Sequence, residues 1–326
     1  MSIKKYAVAI RDVIAEEMKA DPNVFVMGED VGIQGGVFGC TRGLMDEFGE
    51  ERVRDTPISE LGYVGVGIGA ALTGMRPVID FMYMDLTYVA MDQILNQAAK
   101  LRYMYGGKAT LPLVIRGQQG IGRGNAGTHS QSVEAFFTHI PGLKVAQPSS
   151  ARDAAGLLRT AIRDNNPIMF FEHKALYASS EEVPDDPNFA IPFGVADIKR
   201  EGSDVTIVAT SLMVSRALEA AEILAKDGIQ AEVVDPRTLL PLDMDTINAS
   251  VQKTGRAVVV HEAHRTNGVG AEIASRIMED SFKYLDAPVA RLGAKACTLP
   301  FSLVLENAVV PGVDDIVGAV REVSYR

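Results

Sequence analysis

The run Val24-Phe25-Val26-Met27, opening into Gly28-Glu29-Asp30, sets the terms on which the rest of the chain is read. Consecutive apolar residues ended by a glycine and two acids make a short strand buried on both faces, unlike the alternating strand of a half-wet sheet. On its amino side, Tyr6, Ile10, Val13, Ile14 and Met18 recur at helical spacing up to Asp21-Pro22, so the chain is expected to start as a helix. On its carboxyl side, strand-like runs follow at 77–81, 111–115, 143–146 and 168–171, with helical patterns between them over 90–105 and 151–163. Apolar strands alternating with helices predict an α/β unit whose parallel sheet is covered on both faces.

The alternation breaks over 177–192, a stretch with three prolines and four acids and no apolar period, which is expected to be a surface linker. It then resumes. Strands are predicted at 204–209, 230–235, 256–261 and 288–292, and helices at 214–226, 243–253 and 313–323. The expected organisation is two parallel-sheet α/β domains, residues 1–176 and 201–326, joined by a linker over 177–200.

Composition narrows the function. The 326 residues are 47% apolar and 23% charged, as in an ordinary globular protein, and 32 basic against 42 acidic residues leave a net charge of −10. No segment concentrates the basic residues, which argues against nucleic acid and anionic membranes as partners. The two cysteines, Cys40 and Cys297, stand far apart, so a disulfide framework is not expected and a reducing, cytoplasmic setting fits. Charges run through the apolar pattern of the first 24 residues, which therefore read as neither a signal peptide nor a membrane span.

Several stretches could carry chemistry. Glu60 lies in Thr56-Pro57-Ile58-Ser59-Glu60-Leu61-Gly62, between a turn signal and a run of small residues, and is either a helix-start acid or a working group. The run Gly65-Val66-Gly67-Ile68-Gly69-Ala70 loosely fits a dinucleotide-binding pattern, but no buried strand precedes it and Asp80 comes early for a ribose-binding acid. A helix with a bare face for close packing, internally or against another chain, explains it better. The second glycine-rich stretch, from Arg116 to Gln131, follows a good strand and suits an active-site loop at the carboxyl end of a sheet. It lacks the Lys-Ser/Thr ending of a phosphate loop, and His129 near its end has Thr128, Ser130 and Gln131 to orient it. His261-Glu262-Ala263-His264 has the wrong spacing for a zinc helix and reads as a strand end, while His139 and His173 read as structural.

Taken in order, Glu29-Asp30-Val31-Gly32, Thr56 to Gly62, Asp92-Gln93-Ile94, Gly127-Thr128-His129-Ser130-Gln131, Ile140 to Val145 and Ala161-Ile162-Arg163-Asp164-Asn165-Asn166-Pro167 carry a resemblance. Over essentially its whole length the chain resembles the beta subunit of the thiamine-diphosphate-dependent first component of 2-oxo acid dehydrogenase complexes. Pyruvate and acetoin dehydrogenases are the nearest types, within the transketolase-like superfamily. The resemblance implies a pyrimidine-binding domain followed by a transketolase C-terminal domain, the latter mainly for assembly and docking.

The resemblance further implies that Glu60 contacts N1′ of the cofactor's aminopyrimidine. Sharing a proton there favours the 4′-imino tautomer, whose nitrogen removes the thiazolium C2 proton. Ile58 would lie near the cofactor. Leu86 matches the position at which the family commonly stacks an aromatic ring, a departure, with Tyr83 and Tyr88 close by. His129 matches an active-site histidine facing substrate and lipoyl group. A structural potassium ion would involve Leu113, Ala161, Ile162, Asp164 and Asn166. The Gly-Asp-Gly motif that holds the diphosphate through Mg²⁺ occurs nowhere in this chain. The expected partner is therefore an alpha subunit carrying it, in an α₂β₂ heterotetramer that transfers acyl groups to a lipoyl acyltransferase core. Branched-chain 2-oxo acid or acetoin dehydrogenase, a stand-alone nicotinamide dehydrogenase and a non-catalytic assembly subunit are the alternatives.

Overall fold

The computed structural model describes residues 1–325. It divides into two compact units, Met1–Gln119 with Phe136–Phe193, and Gly120–Ala135 with Gly194 onwards. In chain order the first part comprises β1 (Ser2–Lys5), α1 (Tyr6–Ala20), β2 (Val24–Gly28), α2 (Leu44–Phe48), β3 (Val53–Asp55), α3 (Glu60–Leu72) and β4 (Arg76–Phe81). A 3₁₀ segment (Met84–Ala90), a π-helical segment (Asp92–Ala98) and α4 (Ala99–Met104) come next, then β5 (Val114–Gln119), α5 (Glu134–Thr138), β6 (Lys144–Ala146), α6 (Ala151–Arg163), β7 (Ile168–His173) and β8 (Ser180–Val183).

The sheet of the first unit runs β6-β7-β5-β4-β2-β3, with every one of these pairings parallel. Its central strands are buried at every position because helices cover both faces, which is why their apolar runs do not alternate. The register places Gly28 beside Asp80 and Asp80 beside Arg116. This row near the carboxyl ends of the strands carries charge into the buried sheet. Outside it, α1 packs on α6, where buried Glu17 accepts hydrogen bonds from Arg159 Nε at 3.2 Å and Arg163 Nε at 2.9 Å.

Three expectations need correction here. The chain does not start as a helix: Ser2–Lys5 is a strand, paired antiparallel with Ser180–Val183, inside the stretch expected to be a linker. Both strands are short and largely polar, and each finds its only strand partner in the other, so neither carries a local signal. The helical pattern over 90–105 is three different helical forms in succession, and the 3₁₀ segment extends it back to Met84.

The second unit holds β9 (Asp197–Arg200), β10 (Val205–Ala209), α7 (Leu212–Lys226), β11 (Ala231–Asp235), the short β12 (Thr238–Leu240), α8 (Met244–Thr254), β13 (Ala257–His264), α9 (Val269–Ser281), β14 (Ala290–Ala294), α10 (Leu303–Val309) and α11 (Val313–Val323). Its sheet runs β14-β13-β10-β11-β9, parallel except for β9. Val205, Ile207 and Ala209 face one apolar cluster with α7 and α11, while Val208 and Val234 face another with α8 and α9. Helix α9 has no counterpart in the sequence expectations, because Gly268 and Gly270 interrupt its start. Both are required: a Cβ at either would come within 2.4 Å of the His261 ring. No helix among the described residues is long and apolar enough to cross a membrane.

Candidate active site

Parallel strands leave their carboxyl ends on one edge of a sheet, and ligands of such folds bind there. In the first unit Glu29 follows β2, Ile58 and Glu60 follow β3, and Asp80 and Leu86 lie at or beyond the end of β4. Each therefore sits where the topology gathers connections rather than packing.

Glu60 is the first residue of α3 and also buried, with 6% of its surface exposed. The helix-start and working-group readings are thus compatible, since the amino end of a helix favours a negative charge. No donor among the described residues bonds to its carboxylate. Glu29 lies close enough that the Glu60 charge acts on it. Burial first, then Glu60, then Asp30, raise the Glu29 carboxyl above its ordinary range, and its buried Oε1 has no hydrogen-bond partner. Tyr63, one turn along α3, packs edge-on against Phe81 with centroids 5.3 Å apart. Its phenol is raised by burial and by the charges of Glu29, Glu60 and Asp80. Burial and the neighbouring charge of Glu60 thus make Glu29 hold a proton more readily than an ordinary glutamate does.

Behind this pair is a buried ionic group absent from the sequence expectations. Arg116, 2% exposed, bonds through Nη1 to Asp80 and through Nε and Nη2 to the two oxygens of Glu172, which also accepts from Tyr177 Oη at 2.7 Å. Burial raises Asp80 to about 6; Arg116 opposes the rise and Glu172 adds to it. A small cavity lined by Glu29, Cys40, Asp80, Arg116, Gln118 and Tyr177 joins this group to Glu29. Gly28 permits the arrangement, because a Cβ there would meet Asp80 O at 2.3 Å. The sequence signal was available: an arginine interrupting the apolar strand Val114-Ile115 can be buried only with acids beside it.

The remaining candidates are distributed as follows. Ile58 is 84% exposed and Leu86 half-buried, on the 3₁₀ segment that packs against α3. The small-residue face of α3 is used internally at Gly67, whose Cβ would lie 2.5 Å from Ile79, whereas Gly69 meets nothing. His129 belongs by its contacts to the second unit, and Thr128 Oγ1 lies 2.9 Å from its Nδ1. Leu113, Ala161, Ile162, Asp164 and Asn166 are gathered near one turn. The carbonyls of Ile162 and Asp164 both accept from Arg76 Nη1 at 3.0 Å, Leu113 O accepts from Ile168 N at 2.9 Å, and Asn166 N donates to Asp164 Oδ1 at 2.9 Å. Lys144 bonds the Asp164 carboxylate; despite burial, bonds from Lys144 and Asn166 hold it below its ordinary range. Among the described residues no group of three or more His, Cys, Asp and Glu could hold a metal, and His261 and His264 lie on β13.

Comparison with known proteins adds a second line. Residues 4–180 match the transketolase pyrimidine binding domain and residues 194–316 the transketolase C-terminal domain. The chain is 48% identical to pyruvate dehydrogenase E1 component subunit beta-2, mitochondrial, of Oryza sativa subsp. japonica, over 98% of this chain and 85% of that protein. It is also 48% identical to the pyruvate dehydrogenase E1 component subunit beta of Rickettsia felis, over 97% of each. Among solved structures, one described as "Split gene transketolase, inactive beta4 tetramer" shares the fold with a TM-score of 0.78 at 23% identity, over 98% of each chain.

Proposed function

Because the chain belongs to the family of pyruvate dehydrogenase E1 component beta subunits, we propose that it supplies the aminopyrimidine half of a thiamine-diphosphate site acting in oxidative decarboxylation of pyruvate, with acyl transfer to lipoamide. The observation that carries this reading is the pair Glu60 and Glu29: a buried carboxylate without a protein donor, next to a second one raised by its charge. Such a pair lacks the donor that a ring nitrogen sharing a proton would provide.

When bound, thiamine diphosphate supplies a nucleophilic carbon that adds to the carbonyl of a 2-oxo acid and accepts the electrons released with carbon dioxide. Glu60 holds and returns the proton at N1′ of the aminopyrimidine, from a buried carboxylate that no protein donor occupies. Glu29 limits the charge of the pair by taking up a proton more readily than an exposed glutamate. Ile58 and Leu86 bound the ring's place with apolar surface. His129 faces the substrate and the lipoyl group.

An alpha subunit with the Gly-Asp-Gly motif holds the diphosphate and Mg²⁺ in an α₂β₂ assembly, since this chain has no such motif. Potassium would take backbone oxygens of the turn at 161–166, in competition with Arg76, which already bonds the carbonyls of Ile162 and Asp164. The test is co-expression with an alpha subunit and assay of pyruvate, branched 2-oxo acids and acetoin side by side, with thiamine diphosphate and Mg²⁺. Pyruvate turnover that collapses in Glu60→Gln supports the reading. Full turnover in that variant would mean the chain only scaffolds its partner.

A further inference from the structure

The stretch Gly120–Ala135, which carries His129, is closed on itself and fastened to the rest of the second unit at three points. Its neck is closed by Gly120 N donating to Gln131 O at 3.0 Å. Glu262 of β13, 6% exposed, accepts from Ile121 N at 2.8 Å and from Ser132 Oγ at 3.1 Å, and so ties the two ends of the loop to one carboxylate. Glu306 of α10 is fully buried, and its Oε2 accepts from Gly122 N at 3.0 Å and Gly124 N at 3.4 Å. The Ile121 side chain enters an apolar cluster with Ala294, Leu299, Val309 and Val310.

The glycines leave no slack. Gly124 has φ +63°, and a Cβ there would lie 2.6 Å from Phe301 O; one at Gly127 would lie 2.3 Å from Thr298 Cγ2. The loop is laid against the segment that leads into α10.

A carboxylate removed from water is costly unless its oxygens are bonded. Glu306 has no ion pair among the described residues, and its Oε1 is without a partner, so the return for burying it is the bonding of two glycine amides. Those amides belong to residues with φ +117° and +63°, backbone that would otherwise sample many conformations. We infer that Glu306 and Glu262 are positioning residues for His129, and that the second unit presets the active-site loop as well as serving assembly. This rests on the proposed role of His129.

The experiment uses the assembled enzyme with Glu306→Ala, Glu262→Ala and the conservative Glu306→Gln, alongside His129→Ala. Losing hydrogen bonds to a buried carboxyl group should speed hydrogen exchange of amides 121–124 by about 10- to 100-fold while exchange in the two sheets stays as it was. Turnover should fall by about 10- to 100-fold with KM for the 2-oxo acid changed less than about threefold. Glu306→Gln, which keeps one oxygen acceptor, should recover part of the loss. Adding Glu306→Ala to His129→Ala should cost little more. Unchanged exchange in the loop would overturn the fastening itself. Faster exchange with full turnover, where His129→Ala abolishes activity, would overturn positioning. Should His129→Ala keep full turnover, the positioning role falls with the assignment of His129, and the exchange data still report separately on the fastening.

Discussion

Replacing Arg116 by methionine removes one cation that serves two buried carboxylates, and the loss of stability should depend on pH in a defined direction. Burial already raises Asp80 from 3.8 to about 6, with Arg116 opposing and Glu172 adding to that rise. A carboxyl whose folded-state pKa is raised contributes stability that is present below its unfolded value and lost as pH rises through the folded one. In the native protein this loss ends near pH 6 and amounts to about 3 kcal/mol. Without Arg116 nothing opposes the rise, and Asp80 stays protonated in the fold to higher pH. Holding it neutral then costs a further ~1.4 kcal/mol for each pH unit. The Asp80 share of the variant's deficit should be near zero at pH 5.5 and about 3 kcal/mol at pH 8, on top of the loss of packing and of bonds to Glu172. For a unit of this size that corresponds to a fall in Tm roughly 6–12 °C larger at pH 8 than at pH 5.5. Calorimetric melts of Arg116→Met and wild type at the two pH values measure it. A deficit equal at both, or larger at pH 5.5, would refute the account of Asp80.

Three further outcomes are expected. Glu60→Gln in the assembled enzyme should lower kcat by about 10²- to 10⁴-fold, the range for removing a positioned proton-transfer group, with wild-type melting behaviour; single-turnover kinetics checks it. Glu29, raised from 4.5 by burial and by Glu60, also loses its folded-state contribution as pH rises, so Glu29→Gln should gain stability relative to wild type above pH 5 and not below pH 4, as urea titrations at the two ends will show. Gly28→Ala forces a Cβ within 2.3 Å of Asp80 O and should destabilise the first unit by about 1–3 kcal/mol while displacing Glu29, giving a lowered Tm together with lowered turnover.

Much of the fold was legible because the central strands are buried on both faces. Val24–Met27, Val205–Ala209 and Ala257–Val260 are unbroken apolar runs for that reason, and the helices between them repeat at a different period. Of the candidate site, Glu60 was legible as an isolated acid among small residues, and His129 as a histidine in a glycine-rich loop after a strand. What stayed hidden depends on pairs far apart in the chain. Glu29 was visible as one of two acids closing a strand, without a role of its own, until burial brought the Glu60 charge to it. Ser2–Lys5 and Ser180–Val183 are strands only because each completes the other. The helix α9 was obscured by glycines whose reason is a histidine on another element.

The linear chain, by its apolar periods and the acids and glycines that punctuate them, determined two α/β units with parallel sheets and an acid at the start of α3. Tertiary structure alone decided which charges are buried together and which unit holds the loop of His129. A period records only whether a side chain leaves water. The partner it meets there, Arg116 for Asp80 or Glu306 for two glycine amides, is set by sheet register and chain crossing, and these bring together residues 36 and 184 positions apart.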